Sequence, residues 1–333
     1  LYNNLGSNYF LNTRATKMKS YAFENAEKAF LKAVLLLERE PSQHEALTNS
    51  YRNLCKLNLE RKNKQMALHY FEKAKHTFEK IPNPNPRKKA QFYFDEANML
   101  FKQREITASS LAIERVFKTL IPAYSSAKTV LPNQSALYAE TILLDVLDLQ
   151  AELFLTQSQP KKALESYALA FHIEALFQSL LVYENSKIII QIRNRNRTER
   201  CIAIYQSLFQ KENKKNYLES AFLLAEKTKS IVLKANLNLK KFQSHEEKLL
   251  LEQLQNHNTI IVKEQQKGAT AAISKINDAL KKQNELMLLL KETQSKNGNT
   301  TKTEIDLKEL YTKLGKDNSI LIEYFSGNDK TYS

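Results

Sequence analysis

A short pattern of aromatic and small residues recurs along this chain and restricts its fold more than any other feature. In one form an aromatic residue precedes a small residue by four positions. In the other form an alanine precedes an aromatic residue by four positions and a second alanine by seven. These offsets place the residues on one face of a helix, so they predict helix pairs that approach closely at the small residues. The clearest instances are Tyr2-x3-Gly6, Tyr51-x3-Cys55, Ala26-x3-Phe30-x2-Ala33, Ala67-x3-Phe71-x2-Ala74 and Ala163-x3-Tyr167-x2-Ala170.

The pattern resembles that of tetratricopeptide repeats, in which small residues let antiparallel helices pack closely and aromatic residues fill the space between neighbouring pairs. This resemblance implies an all-α fold, a right-handed superhelical solenoid that binds other molecules. Ala26 and Ala67 are 41 positions apart, whereas the standard repeat has roughly 34 residues. We therefore expect extended helices or loops.

The composition agrees with a helical chain. Only 5 Gly and 7 Pro occur in 333 residues, too few turn formers for a protein of many strands. The two cysteines, Cys55 and Cys201, cannot form a disulfide framework, and we expect both in the core. Because no apolar run reaches the roughly 18 to 20 residues that span a bilayer, we expect a cytoplasmic protein without a membrane partner. A targeting segment ahead of Leu1 stays open as an alternative.

Residues 1–235 are predicted to form an array of five to six helix pairs. Proline residues mark several of the boundaries, and Pro122 should end or kink the helix that begins at Thr107. The predicted helices are 2–11 with 21–39, 44–60 with 64–78, 88–103 with 107–130, 135–155 with 160–183, a degenerate pair within 185–210, and a capping unit from 217.

The pattern changes after the array. In residues 236–300 apolar residues recur at steps of three and four between charged ones, and Gly268 interrupts them midway. We predict a coiled-coil-like helical hairpin there, and one long helix with a local break is the alternative. Residues 301–333 are predicted to hold a linker helix at 306–314, a strand at 319–325, a turn at 327–329 and the start of a second strand at 331–333.

Much of the chain also resembles bacterial CHAT-domain proteins. The resemblance implies that residues 301–333 join the repeats to a caspase-like α/β domain, which the strand Leu321 to Phe325 opens. It also implies that the catalytic His and Cys of that domain lie beyond Ser333, so we expect a chain truncated at the start of the CHAT domain. The matching stretches are residues 109–127, 183–190, 217–237 and 307–333.

We expect no catalytic site in this chain. A cysteine-protease dyad needs a thiol beside an imidazole, in a cleft with oxyanion donors, but Cys55 and Cys201 occupy predicted core positions. Neither a Gly-rich phosphate loop nor a nucleophile elbow occurs in the sequence. His69 and His76 are able to share one helix face, yet no further ligand stands at a recognisable spacing. We therefore predict no enzyme activity, no cofactor and no metal site.

Binding chemistry is better supported. In tetratricopeptide arrays the first helix of each pair lines a concave groove, so counting from the aromatic position predicts the side chains that face a ligand. One half of this groove is basic and the other half acidic, which suits an extended peptide whose charges run the opposite way. The alternative is an ordinary solvated helix face. The predicted groove residues are Arg52, Lys56, Phe94, Asn98, Lys102, Asp145, Asp148 and Glu152.

An arginine cluster offers a second candidate surface, formed by Arg193, Arg195, Arg197 and Arg200. Together with the formal net charge of +14, it is able to neutralise the phosphates of a nucleic acid. A turn rich in arginine, or a generally basic protein, explains the cluster without a ligand.

Three functions follow as hypotheses. The first is a protein- or peptide-binding sensor array, the regulatory part of a CHAT-type protease, whose partners are a ligand in the groove and the attached CHAT domain. The second is a freestanding scaffold without an enzyme. The third is a nucleic-acid-responsive array in a defence system.

Overall fold

Helices make up most of this protein in the computed structural model. The structure describes residues 1–12, 19–40, 42–127, 129–180, 184–229, 244–267, 272–296, 305–327 and 330–332. The prediction of a mainly helical chain that ends in a short stretch of strand is confirmed. The chain divides into two compact units, Leu1–Ile173 and Glu174–Ser333. The predicted boundaries near 235 and 300 lie outside the described residues.

The first unit is built from helices that pack in consecutive pairs. Helix α1 packs on α2, α3 on α4 and α5 on α6. In the second helices of the first two pairs, the alanine and aromatic residues of the recurring pattern are buried, as Ala26 with Phe30 and Ala67 with Phe71 show. These helices are α1 (Tyr2–Asn12), α2 (Lys19–Leu37), α3 (His44–Glu60), α4 (Lys64–Phe78), α5 (Pro86–Gln103), α6 (Ile106–Leu120), α7 (Thr141–Thr156) and, as far as Ile173, α8 (Pro160–Leu180).

The first helices of these pairs are also neighbours of one another. Helix α3 contacts α1 and α5, and α5 contacts α7. Polar side chains bridge the row, since Asn53 on α3 donates to Asn3 on α1 at 2.9 Å and Lys88 on α5 donates to Glu45 on α3 at 2.6 Å. The side chains of this row therefore lie next to one another even when they are far apart in sequence.

The connection between α6 and α7 is longer than predicted. A helix was expected from 107 to 130, but α6 ends at Leu120 and Ile121 is extended, because a residue before proline avoids the helical conformation. The helix expected from 135 begins at Thr141, after a single 3-10 turn at Gln134–Ala136. The intervening chain is anchored by the buried Ile121 and Leu137.

Two helix pairs lie in the described part of the second unit. Helix α9 (Glu184–Glu212) packs on α10 (Lys215–Thr228), and α11 (His245–Gln266) packs on α12 (Ile273–Lys296). The degenerate pair predicted within 185–210 is therefore one helix, and its partner is α10. The alternative of one long helix after residue 239 is wrong, because α11 and α12 are separate helices that pack together.

Helices α11 and α12 run antiparallel along a seam with heptad spacing. Gln283 on α12 donates to the carbonyl of Leu254 at 3.4 Å, while the amide of Ala272 donates to Glu264 at 3.1 Å, so the sequence positions run in opposite directions. The seam repeats at steps of three and four, as in coiled coils. Its buried or half-buried residues are Glu247, Leu250, Leu254, His257, Ile261 and Glu264 on α11, and Ala279, Gln283, Leu286 and Leu290 on α12.

The chain continues through a short helix into a two-stranded antiparallel sheet. Helix α13 (Leu307–Lys316) starts at Asp306, whose carboxylate accepts hydrogen bonds from two amides of its first turn. Strands β1 (Phe325–Ser326) and β2 (Thr331–Tyr332) pair Phe325 with Tyr332. The prediction of a strand over 319–325 is wrong for 319–324, since only its last residue, Phe325, lies in β1. Residues 328, 329 and 333 of the predicted turn and second strand lie outside the described part. None of the described helices combines the length and apolar character that a bilayer crossing requires.

Candidate functional site

A buried carboxylate lies at the centre of the row of first helices. Asp95 on α5 is only 6% exposed, and its Oδ2 lies 2.5 Å from Nε of Arg52 on α3. Its Oδ1 lies 3.0 Å from Nζ of Lys56 and accepts a hydrogen bond from Nε2 of Gln91 at 3.3 Å. Arg52 and Lys56 stand one helical turn apart on α3, so one carboxylate holds two cations in place.

The balance of charge here favours an ionised carboxylate. Burial by itself raises the pKa of Asp95, but the charges of Arg52 and Lys56, and the hydrogen bonds that they donate, lower this pKa below its usual value. Two cations and one carboxylate leave one net positive charge. Lys56 is 36% exposed and Arg52 14%, so part of this charge faces water.

The cations border a small pocket, which we call the Asp95 pocket. Its wall contains apolar groups and one side-chain amide beside the charged groups. Cys55 belongs to this wall, and burial, followed by the charge of Asp95, raises the pKa of its thiol to about 12. Such a thiol is almost never a thiolate at neutral pH, so it is a poor nucleophile. The pocket is lined by Arg52, Cys55, Lys56, Leu59, Phe71, Asp95 and Asn98.

The structure brings three of the predicted groove residues together at this pocket, namely Arg52, Lys56 and Asn98. Phe94 is half-buried and Lys102 is exposed on the same helix as Asn98. Asp95 was missed by the sequence reasoning. The available signal was the polar stripe of α5, because Asp95 precedes Asn98 by three positions and so shares its helix face.

The acidic half of the predicted groove lies on α7. Asp145, Asp148 and Glu152 are all half-buried along one face of that helix. Glu152 accepts a hydrogen bond from the hydroxyl of Tyr167 on α8 at 2.7 Å. These carboxylates do not line the Asp95 pocket, which α3, α4 and α5 enclose.

The arginine cluster does not form one surface. Arg197 is 2% exposed and pairs at 2.6 Å with Glu174, which is 1% exposed, so it lies inside the second unit. Arg195 donates to the main-chain carbonyl of Ser326. Arg193 is half-buried and Arg200 is exposed. Two of the four predicted contacts for a nucleic acid are therefore engaged within the chain itself.

Neither metal-binding groups nor similarity to known proteins identifies the function of this site. Across the described ranges, no group of three His, Cys, Asp or Glu side chains is placed to hold a metal ion. No protein-family model and no curated protein matches this chain. The likeness to tetratricopeptide repeats and CHAT-domain proteins stays a prediction from the residues themselves.

Proposed function

We propose that this protein is a tetratricopeptide-type array that binds a protein or peptide segment and serves as the regulatory part of a CHAT-type caspase-like protease. The observation that carries the binding proposal is the Asp95 pocket. It combines a net positive charge, an amide and apolar wall groups on helices that form a continuous row. An acidic side chain flanked by apolar ones has the complementary chemistry.

The proposal includes a direction of charge along the ligand. The basic pocket on α3 and α5 would take the acidic part of a peptide, and Asp145 and Asp148 on α7 would take its basic part. Complementary charges of this kind set register and association rate more than affinity. We further propose that the helix pairs of residues 1–235 continue as one right-handed stack.

Catalysis is assigned to the attached domain and not to this chain. Cys55 and Cys201 are both buried free thiols, so a peptide substrate does not reach either of them in this structure. The coding sequence that follows Ser333 tests this part. A histidine and a cysteine in a caspase-like context support it, and an unrelated domain or a stop codon directly after Ser333 contradicts it.

Peptide binding to the purified chain tests the groove. Fluorescence anisotropy compares a peptide with an acidic and a basic half, the same peptide with the halves exchanged, and an uncharged peptide of equal length. We expect one of the charged peptides to bind best. Its affinity should fall with added salt, because the Debye length shrinks from about 10 Å at 0.1 M to about 3 Å at 1 M.

Charge reversals then locate the site. Lys56→Glu should weaken binding about fivefold or more, because Lys56 borders a partly desolvated pocket, and Asp148→Lys should weaken it on the other half. Arg200→Glu is the matched control, since it reverses an exposed charge in the second unit. Loss of binding with Arg200→Glu but not with Lys56→Glu would contradict the groove and favour a site on α9. Arg197 is unsuitable for this test because it is buried in an ion pair.

A further inference from the structure

Helices α9 and α10 hold the terminal hairpin by its main chain. Arg195 on α9 donates from Nε to the carbonyl of Ser326 at 3.1 Å, and its Nη2 donates to the same oxygen. One turn further along α9, Oε1 of Glu199 accepts a hydrogen bond from the amide of Lys330 at 3.3 Å. Both contacts reach main-chain atoms on either side of the turn, so they fix its position whatever its side chains are.

Gly327 fits the space between these contacts. Its amide donates to the carbonyl of Lys330 at 2.8 Å and closes the turn. A Cβ atom at position 327 would overlap the carboxylate of Glu199. A side chain at this position would therefore push the carboxylate of Glu199 away from the amide of Lys330.

The hairpin also has an apolar and an ionic attachment. Phe325 is buried against Ile202 of α9 and Ala225 of α10, with Tyr332 packed beside it. Glu323, just before β1, pairs with Lys229 at the end of α10. The attachment thus uses Arg195, Glu199 and Ile202 on one face of α9. It also uses Ala225 on α10 and Lys229 directly after that helix.

We propose that the terminal hairpin, of which the structure describes residues 323–327 and 330–332, is a latch that reports the arrangement of α9 and α10. Its contacts come from both helices, so it docks fully only while they keep their present relation. A movement of α9 against α10 removes either the Arg195 and Glu199 contacts or the apolar contact of Phe325. Because coupling is reciprocal, undocking the hairpin also loosens α10 on α9. The inference does not depend on the groove, which lies in the first unit.

Hydrogen exchange on the whole chain, read by mass spectrometry, tests the latch. Gly327→Ala is the main variant, because its methyl group displaces the carboxylate of Glu199 from the amide of Lys330 without replacing any residue of α9 or α10. We expect exchange of amides in 325–332 to rise about tenfold, and that of α10 to rise by a smaller but measurable factor. Exchange in residues 1–173 should stay unchanged. Arg195→Ala and Glu199→Ala should give the same pattern, because each removes a group that binds the main chain of the hairpin, and Lys211→Ala, which removes an exposed cation of α9, should not.

Two results would overturn the proposal. Unchanged exchange in 325–332 with Gly327→Ala means that the hairpin is not held by this contact. A rise confined to 325–332, with α10 unaffected, means that the hairpin is only tied down and reports nothing. Phe325→Ala is a further variant that leaves the residues of α9 unchanged, so misfolding of that helix does not explain its effect. It removes the apolar contact of the hairpin and should raise exchange both in 325–332 and in α10.

Discussion

The two compact units each bury a carboxylate, but they surround it differently. Asp95 in the first unit holds two cations, one of which is 36% exposed. Glu174 in the second unit pairs with Arg197, and both are 1–2% exposed. The first arrangement has surplus positive charge beside water, whereas the second pairs opposite charges in the interior.

The difference separates a site from a structural element. A buried ion pair repays its desolvation only while both partners are present, so Arg197 and Glu174 serve the stability of their unit. The Asp95 cluster keeps a cation that water can reach, so a ligand is able to use it. If this distinction holds, substitutions at Arg197 or Glu174 affect only the stability of the fold. Substitutions in the Asp95 cluster affect both stability and ligand binding.

The largest effect is expected from Arg197→Ala. Removing the guanidinium leaves the carboxylate of Glu174 buried without this cation, which typically costs about 3–5 kcal/mol. Unfolding in urea, followed by circular dichroism, measures the loss. Each unit contains one buried cysteine, so pulsed thiol labelling should show faster modification of Cys201 and not of Cys55.

The double variant Arg197→Met with Glu174→Leu is the control. It removes both charges and should recover much of the stability, because apolar residues of similar volume often replace a buried ion pair without loss. A double variant as unstable as Arg197→Ala would mean that shape, and not charge, decides this position.

A smaller effect is expected from Asp95→Asn. The variant keeps the shape but removes the charge that Arg52 and Lys56 share, at a cost of about 1–3 kcal/mol. Labelling of Cys55 should accelerate while labelling of Cys201 does not. Acidic peptides should bind more tightly to this variant, because the pocket gains one net positive charge. Weaker binding would show that Asp95 positions the cations and does not compete with the ligand.

The contribution of Asp95 to the stability of the protein should depend on pH, because the pKa of this carboxyl group is lowered in the folded state. An unfolded aspartate has a pKa of about 3.9. The stabilisation by Asp95 is therefore fully present above that value and is lost as the pH falls through the lower folded pKa. The stability gap between the wild type and Asp95→Asn should be constant from neutral pH to about pH 5 and close at lower pH. A gap that widens on acidification would contradict the ion-pair origin.

The smallest effect on stability is expected from Lys56→Ala. Lys56 is partly exposed, and ion pairs of exposed lysines contribute less than about 1 kcal/mol. Its loss should still weaken the binding of an acidic peptide, so stability and affinity separate at this position. Equal losses of stability with Lys56→Ala and Asp95→Asn would show that the pocket is a structural ion-pair cluster and nothing more.

Helix pairing could be predicted from the sequence, because it depends on local spacing. Ala67, Phe71 and Ala74 lie on one helix face by their offsets alone, and all three are buried. The hairpin of α11 and α12 followed in the same way from steps of three and four. The predicted start of α5, at 88, is two residues late, although Asn85 caps this helix directly before Pro86, where asparagine and proline are favoured.

The contacts between distant residues could not be predicted. Asp95 pairs with Arg52 across 43 positions, and no local pattern indicates which polar residue of one helix meets which cation of another. Arg197 looked like its arginine neighbours in the sequence, but its burial depends on Glu174 of a different helix. The end of α6 at Leu120 shows a third limit, since Pro122 indicated a break but not the length of chain that follows.

Residues 320–324, directly before β1, include exposed apolar side chains that affect the behaviour of this protein in solution. Ile320 is 88% exposed, and Leu321, Ile322 and Tyr324 are exposed as well, so this stretch presents neighbouring apolar side chains to water. Exposed apolar patches favour association between molecules. The net charge of +14 opposes close approach at low ionic strength. Salt screens that repulsion without weakening the apolar attraction, so the colloidal stability of this protein should fall as salt is added.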